Sequence, residues 1–304
     1  MIELHQAPRR YISPDFLGTV EELLWGRVLS YDELQSLVTR RNIASPDPLR
    51  DVLQALFLED RLEIWPGIVS PLPGYSVCSR CGEKLKLETV DCPLCGRADC
   101  IVCPSCRSLG EVRSCRELYH GPIGERGKRG QVFPDLEPKF AFQLTPAQKS
   151  AALVLKSHVE QWIEHYEPAT ALGGSGDLPN PACLIWAVCG AGKTEIAFEA
   201  LALALRIGLR VAFAIPRRDV VVELARRAET AFRKMPVTAL YGGATPPETM
   251  GPLVLATTHQ LLRFAQCFDL AILDEADAFP YAGSAMLHSG FQRAVKPGGL
   301  RIYM

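Results

Sequence analysis

The sequence predicts an α/β fold, a parallel sheet with helices on both faces, preceded by a small helical unit and a cysteine-rich domain. Two motifs and one alternation carry that prediction. Trp186-Ala187-Val188-Cys189-Gly190-Ala191-Gly192-Lys193-Thr194-Glu195 closes an apolar run at 182–188, short enough for one buried strand. It opens a segment at 196–207 whose alanines and leucines have helical spacing. Downstream, Leu270-Ala271-Ile272-Leu273-Asp274-Glu275-Ala276-Asp277 is an apolar strand ending in paired acids. Strand-like runs at 209–215, 237–241, 253–257 and 300–303 alternate with helical stretches such as 220–232, and that alternation makes a parallel sheet whose crossovers cover both faces.

Composition bounds the class. The chain has 304 residues, 33 basic and 34 acidic, and is 48% hydrophobic, so it is a globular chain long enough for two or three units. No apolar run approaches a bilayer span, and the N-terminus, with Glu3, Pro8, Arg9 and Arg10, lacks a signal-peptide core, so the cytosol is the expected location. Clustered cysteines in a reducing compartment point to metal rather than disulfides. Near-zero net charge leaves nucleic acid open, because a local basic groove is sufficient.

Residues 1–76 read as a helical unit. Ser13-Pro14-Asp15 caps a helix carrying Phe16, Val20, Leu23 and Leu24; Tyr31-Asp32-Glu33-Leu34 opens a second with Leu37 and Val38 inward; 49–58 makes a third. Leu62-Glu63-Ile64-Trp65-Pro66-Gly67 then looks like a strand and turn. This order suits a winged-helix-like DNA module or, equally, a packing and docking domain.

Residues 77–120 form the zinc-binding domain. Cys78-x-x-Cys81, Cys92-x-x-Cys95, then Cys100, Cys103, Cys106 and Cys115 place eight thiols close together in sequence. A CxxC turn lets two thiolates grip one ion, and two such turns complete a tetrahedral site. With so little apolar sequence between them, these loops are expected to need metal to fold. Two structural Zn²⁺ ions are the reading preferred; one zinc with spare thiols, or an iron–sulfur cluster on the CxxCxxC spacing, are the alternatives. Spacing does not say which cysteines share an ion.

Residues 121–139 are a linker with Gly124, Gly127, Gly130, Pro134 and the basic Arg126-Gly127-Lys128-Arg129, and 140–304 hold the sheet. Thr145 caps a helix with Pro146 at its first position, and Gln148, just upstream of the phosphate-loop strand, is the candidate reader of an adenine edge. An insertion with Gly173-Gly174-Ser175-Gly176 precedes the first core strand.

Strand, glycine turn, Gly-Lys-Thr and helix is the order a phosphate loop requires. Cys189, Gly190, Ala191, Gly192 and Glu195 place backbone N–H groups around an anion at a helix N-terminus; Lys193 reaches the β- and γ-phosphates of ATP, and the Thr194 hydroxyl ligates Mg²⁺. Ala187 stands where the pattern G-x-x-x-x-G-K-[ST] has its first glycine. Asp274 holds Mg²⁺ from the other side and Glu275 orients or deprotonates the attacking water. Read singly, each motif also fits an ordinary turn or a solvated acidic loop; together they place one pocket where two neighbouring strands end. Arg217, Gly242, Gly243, Thr257, Thr258 and Gln260 sit just after other strands, where side chains and loop N–H groups meet a single-stranded backbone.

The strings AVCGAGKTE, PRRDVVVEL, LYGG, TTHQLLR and DEADAFPY, in that order after a cysteine-rich unit, resemble ComFA, the competence ATPase of DNA uptake in Gram-positive bacteria. Ala187 is that family's own choice. The resemblance covers 148–281 and, more loosely, the cysteine region. It implies a RecA-like P-loop NTPase lobe and an ATP-driven single-stranded DNA translocase at the cytosolic face of the membrane, with a ComEC-type uptake channel and a ComFC-type phosphoribosyltransferase-like protein as partners; a homo-oligomer is compatible with it. Carried over by residue, Lys193 and Thr194 match the nucleotide motif, Asp274 and Glu275 the Mg²⁺ and water motif, and Gln148 the glutamine motif. Cys78, Cys81, Cys103 and Cys106 are the ligand set it supports best, with Cys92, Cys95, Cys100 and Cys115 as a further set.

Such translocases close ATP between two RecA-like lobes, the second supplying an arginine that stabilises the transferring phosphate. The family would continue past Met304 into that lobe, so the chain reads as the N-terminal part. On its own it is expected to hydrolyse ATP poorly, since an arginine finger contributes roughly 10³–10⁵ in rate. Two other readings compete: a PriA-like replication-restart helicase or DEAD-box RNA helicase, and a non-catalytic zinc-organised docking module.

Overall fold

The computed structural model describes residues 12–41, 48–121, 131–140, 143–166, 181–188, 191–233, 235–244 and 250–304. The basic stretch Arg126–Arg129, the glycine-rich insertion around Gly174, and Cys189 and Gly190 of the phosphate loop lie outside the described residues.

Local sequence explains the first helices. In α1 (Pro14–Leu24) the Ser13 hydroxyl accepts from the Phe16 N–H, proline occupies the first turn, and Phe16, Val20, Leu23 and Leu24 form the buried stripe. After β1 (Val28–Ser30), α2 (Tyr31–Arg40) starts on a capping box between Ser30 and Glu33. Leu34 and Val38 are its buried residues, with Leu37 partly buried beside them. Then α3 (Leu49–Leu58) closes this cluster with Leu49, Val52, Leu53 and Leu56.

Short strands carry the cysteines: β2 (Glu63–Pro66), the hairpin β3 (Ile68–Leu72) and β4 (Tyr75–Cys78), β5 (Glu88–Val90), β6 (Cys100–Cys103), β7 (Val112–Arg113) and β8 (Glu117–His120). β5, β6 and β7 form one antiparallel sheet in that order. β8 follows the last of the eight clustered cysteines, yet it lies between β1 and β2, pairing antiparallel with both. The cysteine region is therefore joined to the helical unit at its beginning and its end.

The main layer comprises α4 (Pro146–His165), β9 (Ala182–Leu184), α5 (Lys193–Arg206), β10 (Val211–Ile215), α6 (Arg218–Ala231), β11 (Val237–Leu240), β12 (Leu253–Thr257), β13 (Phe268–Leu273), α7 (Ala285–Ala294) and β14 (Val295–Tyr303). The sheet order is β11-β12-β10-β13-β14-β9, every pair parallel. Alternating side chains feed two cores. Val211, Phe213 and Ile215 of β10 pack with residues of α4, α5 and α6. Ala212 and Ala214 face the opposite cluster, which holds Leu287 and Phe291 of α7 together with Cys78, Cys81, Cys103 and Cys106. The expected helices on both faces are present, and the inner cysteines share the second face with α7.

Two expectations are corrected. The run at 182–188 is not a buried strand: β9 is three residues long at the sheet edge, with Leu184 63%, Trp186 91% and Val188 78% exposed. Its apolar residues mimic a core strand in sequence, but only β14 pairs with it among the described residues. The two motif strands are not neighbours either, because β14 lies between β9 and β13. The strand-like run at 300–303 is legible in the sequence, but its insertion between the two motif strands is not. Among the described residues no helix is long and apolar enough to cross a membrane.

Candidate functional site

The nucleotide motifs meet despite the intervening strand. α5 begins at Lys193, so its side chain leaves the first turn of a helix whose N-cap, Gly192, has φ +80, a left-handed conformation that suits glycine. Any Cβ at Gly192 would also collide with the Gln148 amide. Lys193 Nζ lies 3.7 Å from Asp274 Oδ1, the first residue after β13. Around them is a cleft of about 880 Å³ lined by Gln148, Gly192, Thr194, Arg217, Asp274 and Glu275 among others. All its acids and bases project from the carboxyl ends of parallel strands or the helix that follows, where ligands bind in open α/β sheets.

Asp274 is largely buried, and burial pushes its carboxyl above the usual range; the Glu275 N–H, 2.9 Å from its Oδ1, and the Lys193 ammonium oppose that shift. Glu275 itself has φ +55, uncommon for a non-glycine residue, and this turns its carboxylate toward Arg217. The Arg217 guanidinium grips it with two bonds, 2.7 and 3.1 Å. Glu195 is buried behind the loop and pairs with Arg227. Gln148 does two local jobs. It completes a capping box with Thr145 at the start of α4, and its amide donates to the Ala191 carbonyl at 2.8 Å, pinning the helix to the phosphate loop. One amide hydrogen remains for an adenine edge. Sequence reasoning gave Arg217 to the nucleic-acid set and missed Arg227; neither ion pair carries a local signal, since the partners are 58 and 32 residues away.

The eight clustered cysteines separate into two groups of four, Cys78, Cys81, Cys103 and Cys106, and Cys92, Cys95, Cys100 and Cys115, with the sulfurs of each group within 4.8 Å of one another. These are the two sets the family resemblance implies. A tetrahedral zinc with bonds of about 2.3 Å separates its thiolates by about 3.8 Å. Sulfur–sulfur distances are 3.8 Å for Cys78–Cys106, 3.5 Å for Cys81–Cys103, 3.8 Å for Cys92–Cys115 and 3.7 Å for Cys100–Cys115, so the donor sets fit that ion. The first two turns end in left-handed glycines, Gly82 at φ +73 and Gly96 at φ +71, whose N–H groups bond back to the Cys78 and Cys92 carbonyls.

The residues expected to meet a nucleic-acid backbone do not share one place. Gly242 and Gly243 are exposed after β11, and Gln260 stands beside them in a second cavity. Arg217 is instead in the nucleotide cleft, bonded to Glu275. Thr257 and Thr258 are buried at the end of β12, and the Thr258 hydroxyl has no hydrogen-bond partner among the described residues.

Comparison with known proteins agrees with this arrangement. Residues 141–294 match the family described as type III restriction enzyme, res subunit. The Bacillus subtilis (strain 168) competence protein ComFA is 49% identical over 227 residues, 75% of this chain and 44% of that protein. The Streptococcus pneumoniae (strain ATCC BAA-255 / R6) competence protein ComFA is 35% identical over 261 residues, 84% of this chain and 53% of that protein. The chain thus spans about half the length of these curated relatives. A solved structure, the Sulfolobus solfataricus SWI2/SNF2 ATPase core in complex with dsDNA, aligns at 13% identity over 57% of this chain and 33% of that one, with a TM-score of 0.39, too loose to add to the strand order already described. Residues 23–120, the stretch in which β8 closes the cysteine region back onto β1, match the competence protein ComFA N-terminal domain, and with it the chain belongs to the ComFA family.

Proposed function

We infer that the protein is the N-terminal part of an ATP-driven translocase that moves single-stranded DNA into the cytosol during competence. The observation that carries this reading is the approach of Lys193 to Asp274 across the cleft, which brings a phosphate-binding ammonium to a metal-binding carboxylate. In the proposed mechanism Lys193 and the N–H groups of Ala191 and Gly192 bind the phosphates, and Gln148 meets the base. Thr194 and Asp274 would hold Mg²⁺, which would supply charge neutralisation at the phosphate oxygens. Glu275 orients the attacking water and accepts its proton. Lys193 pairs with Asp274 and Arg217 with Glu275, so nucleotide binding would exchange these pairs for phosphate contacts.

Gly242, Gly243 and Gln260 face the strand, while Thr257 and Thr258 shape the end of β12 beneath it. Two zinc ions, one per thiol set, would organise the N-terminal region; the reading places the protein at the cytosolic face of the membrane, working with an uptake channel and a phosphoribosyltransferase-like partner. The test is steady-state hydrolysis by the full-length protein. ATP turnover rises with single-stranded DNA more than with forked DNA or RNA, and Glu275→Gln lowers it by about 10²–10⁴-fold, the usual contribution of a positioned base. Full activity in Lys193→Ala or Glu275→Gln rejects the assigned roles. Unchanged DNA affinity in Lys193→Ala, with no turnover in the full-length protein, favours a docking module instead.

A further inference from the structure

A second cavity, of about 660 Å³, lies between the helical unit and the carboxyl edge of the main sheet. One wall is the expected strand-facing set Gly242, Gly243 and Gln260; the other belongs to β1 and α2 and presents Arg27 and Arg40. Its charge is unbalanced. Glu33 is the acid that lines it, and that carboxylate already takes Arg263 Nε at 2.9 Å, the Arg80 guanidinium and the Ser30 N–H at 2.9 Å. Arg27 is 6% exposed and lines the cavity. Burial, together with neighbouring Arg210, Arg41 and Arg263, lowers its pKa to about 10 against the opposing influence of Cys267, so it stays cationic at neutral pH. Arg40 stands exposed in the last turn of α2.

We propose that this groove is a two-sided seat for single-stranded DNA, in which Arg27 and Arg40 of the N-terminal unit bind backbone phosphates opposite Gly242, Gly243 and Gln260. The inference rests on the translocase reading above and assigns the N-terminal unit a part in it. Three arginines line the cavity against the single acid Glu33, whose carboxylate is already engaged, and a phosphodiester is an anion that balances them. Backbone N–H groups at Gly242 and Gly243, both exposed after β11, admit a phosphate closely.

The test is fluorescence anisotropy of a labelled thymidine oligonucleotide on the full-length protein, titrated at several salt concentrations. Loss of two phosphate contacts lowers the slope of log affinity against log salt by about 1.4 and weakens binding at 0.1 M salt ~25-fold. Arg27→Gln with Arg40→Ala is expected to show this, and Arg40→Ala alone about half of the slope change. Arg97→Ala, at an exposed arginine paired with Asp99 and outside the cavity's lining, is expected to bind as wild type. The exposed Arg40 keeps the test decisive should the Arg27 variant not fold. Wild-type affinity and slope in Arg40→Ala overturn the seat while DNA-stimulated hydrolysis leaves the translocase standing. Groove-dependent binding without stimulation sinks the translocase and keeps the seat, and a wild type that binds no single strand rejects both.

Discussion

Cys78-Ser79-Arg80-Cys81-Gly82 and Cys92-Pro93-Leu94-Cys95-Gly96 spell the same turn, and both close on a left-handed glycine, yet their surroundings differ. The inner set, Cys78, Cys81, Cys103 and Cys106, is entirely buried and belongs to the core beneath the parallel sheet. Arg80, fully buried within its first turn, bonds the Gly110 carbonyl at 3.0 Å and pairs with Glu33 of α2. Arg293 of α7 bonds the Ser79 carbonyl at 2.7 Å. The outer set has Cys95 exposed and Cys115 half-buried, and its nearest basic group, Arg113, donates to Cys92 Sγ at 3.5 Å. A shared local motif therefore makes one centre that joins three units and one that holds only its own loops.

The largest expected effect separates the two centres directly. Cys78→Ser removes a ligand from the core centre, and loss of a structural zinc forfeits folding free energy on the order of 10 kcal/mol. Its product is expected to be largely insoluble or to melt more than roughly 10 °C lower. Cys95→Ser is expected to keep the wild-type fold by circular dichroism and to retain about one zinc where two are expected for the wild type, by elemental analysis. Equal destabilisation by both variants would break the distinction.

An intermediate effect tests how the inner turn is anchored. Arg80→Met leaves Glu33 short of a buried partner, although Arg263 remains, so a loss of about 3 kcal/mol is expected in denaturant unfolding. In the outer turn Arg97 pairs with Asp99 in solvent, and Arg97→Ala is expected to leave the unfolding midpoint unchanged. Similar costs for the two arginines would erase the asymmetry.

The smallest effect concerns the seam at which the cysteine region returns to the helical unit. Glu63 of β2 lies 2.9 Å from His120 Nδ1 of β8, and this hydrogen bond, against the cost of burial, holds the Glu63 carboxyl below its ordinary range. A depressed carboxyl contributes stability above the unfolded value of about 4.3 and loses it as pH falls through the folded value. Because Glu63 is half-exposed, the contribution is discounted to less than about 1 kcal/mol. Glu63→Gln is expected to melt slightly below wild type at pH 7 and to match it near the acid end of the window, by paired thermal melts.

Much of this was legible before any coordinates. The three N-terminal helices announce themselves through Ser13-Pro14-Asp15, through Tyr31-Asp32-Glu33-Leu34 and through the run at 49–58, because caps and periodicity act within a few residues. Lys193, Thr194, Asp274 and Glu275 were legible for the same reason: each stands at a fixed offset from a strand end. The exposed edge position of β9 was not, since Leu184 and Val188 look like core residues until the strand order is known.

The linear text by itself determined the capped helices, the thiol-bearing turns and the phosphate loop, all of which depend on contacts between residues close along the chain. Tertiary structure alone decided that β14 enters between β9 and β13, that β8 pairs with β1, and that Arg217 faces Glu275. Those outcomes join residues tens of positions apart, where relative burial and pairing energies across the whole fold choose the partner and no local pattern records the choice.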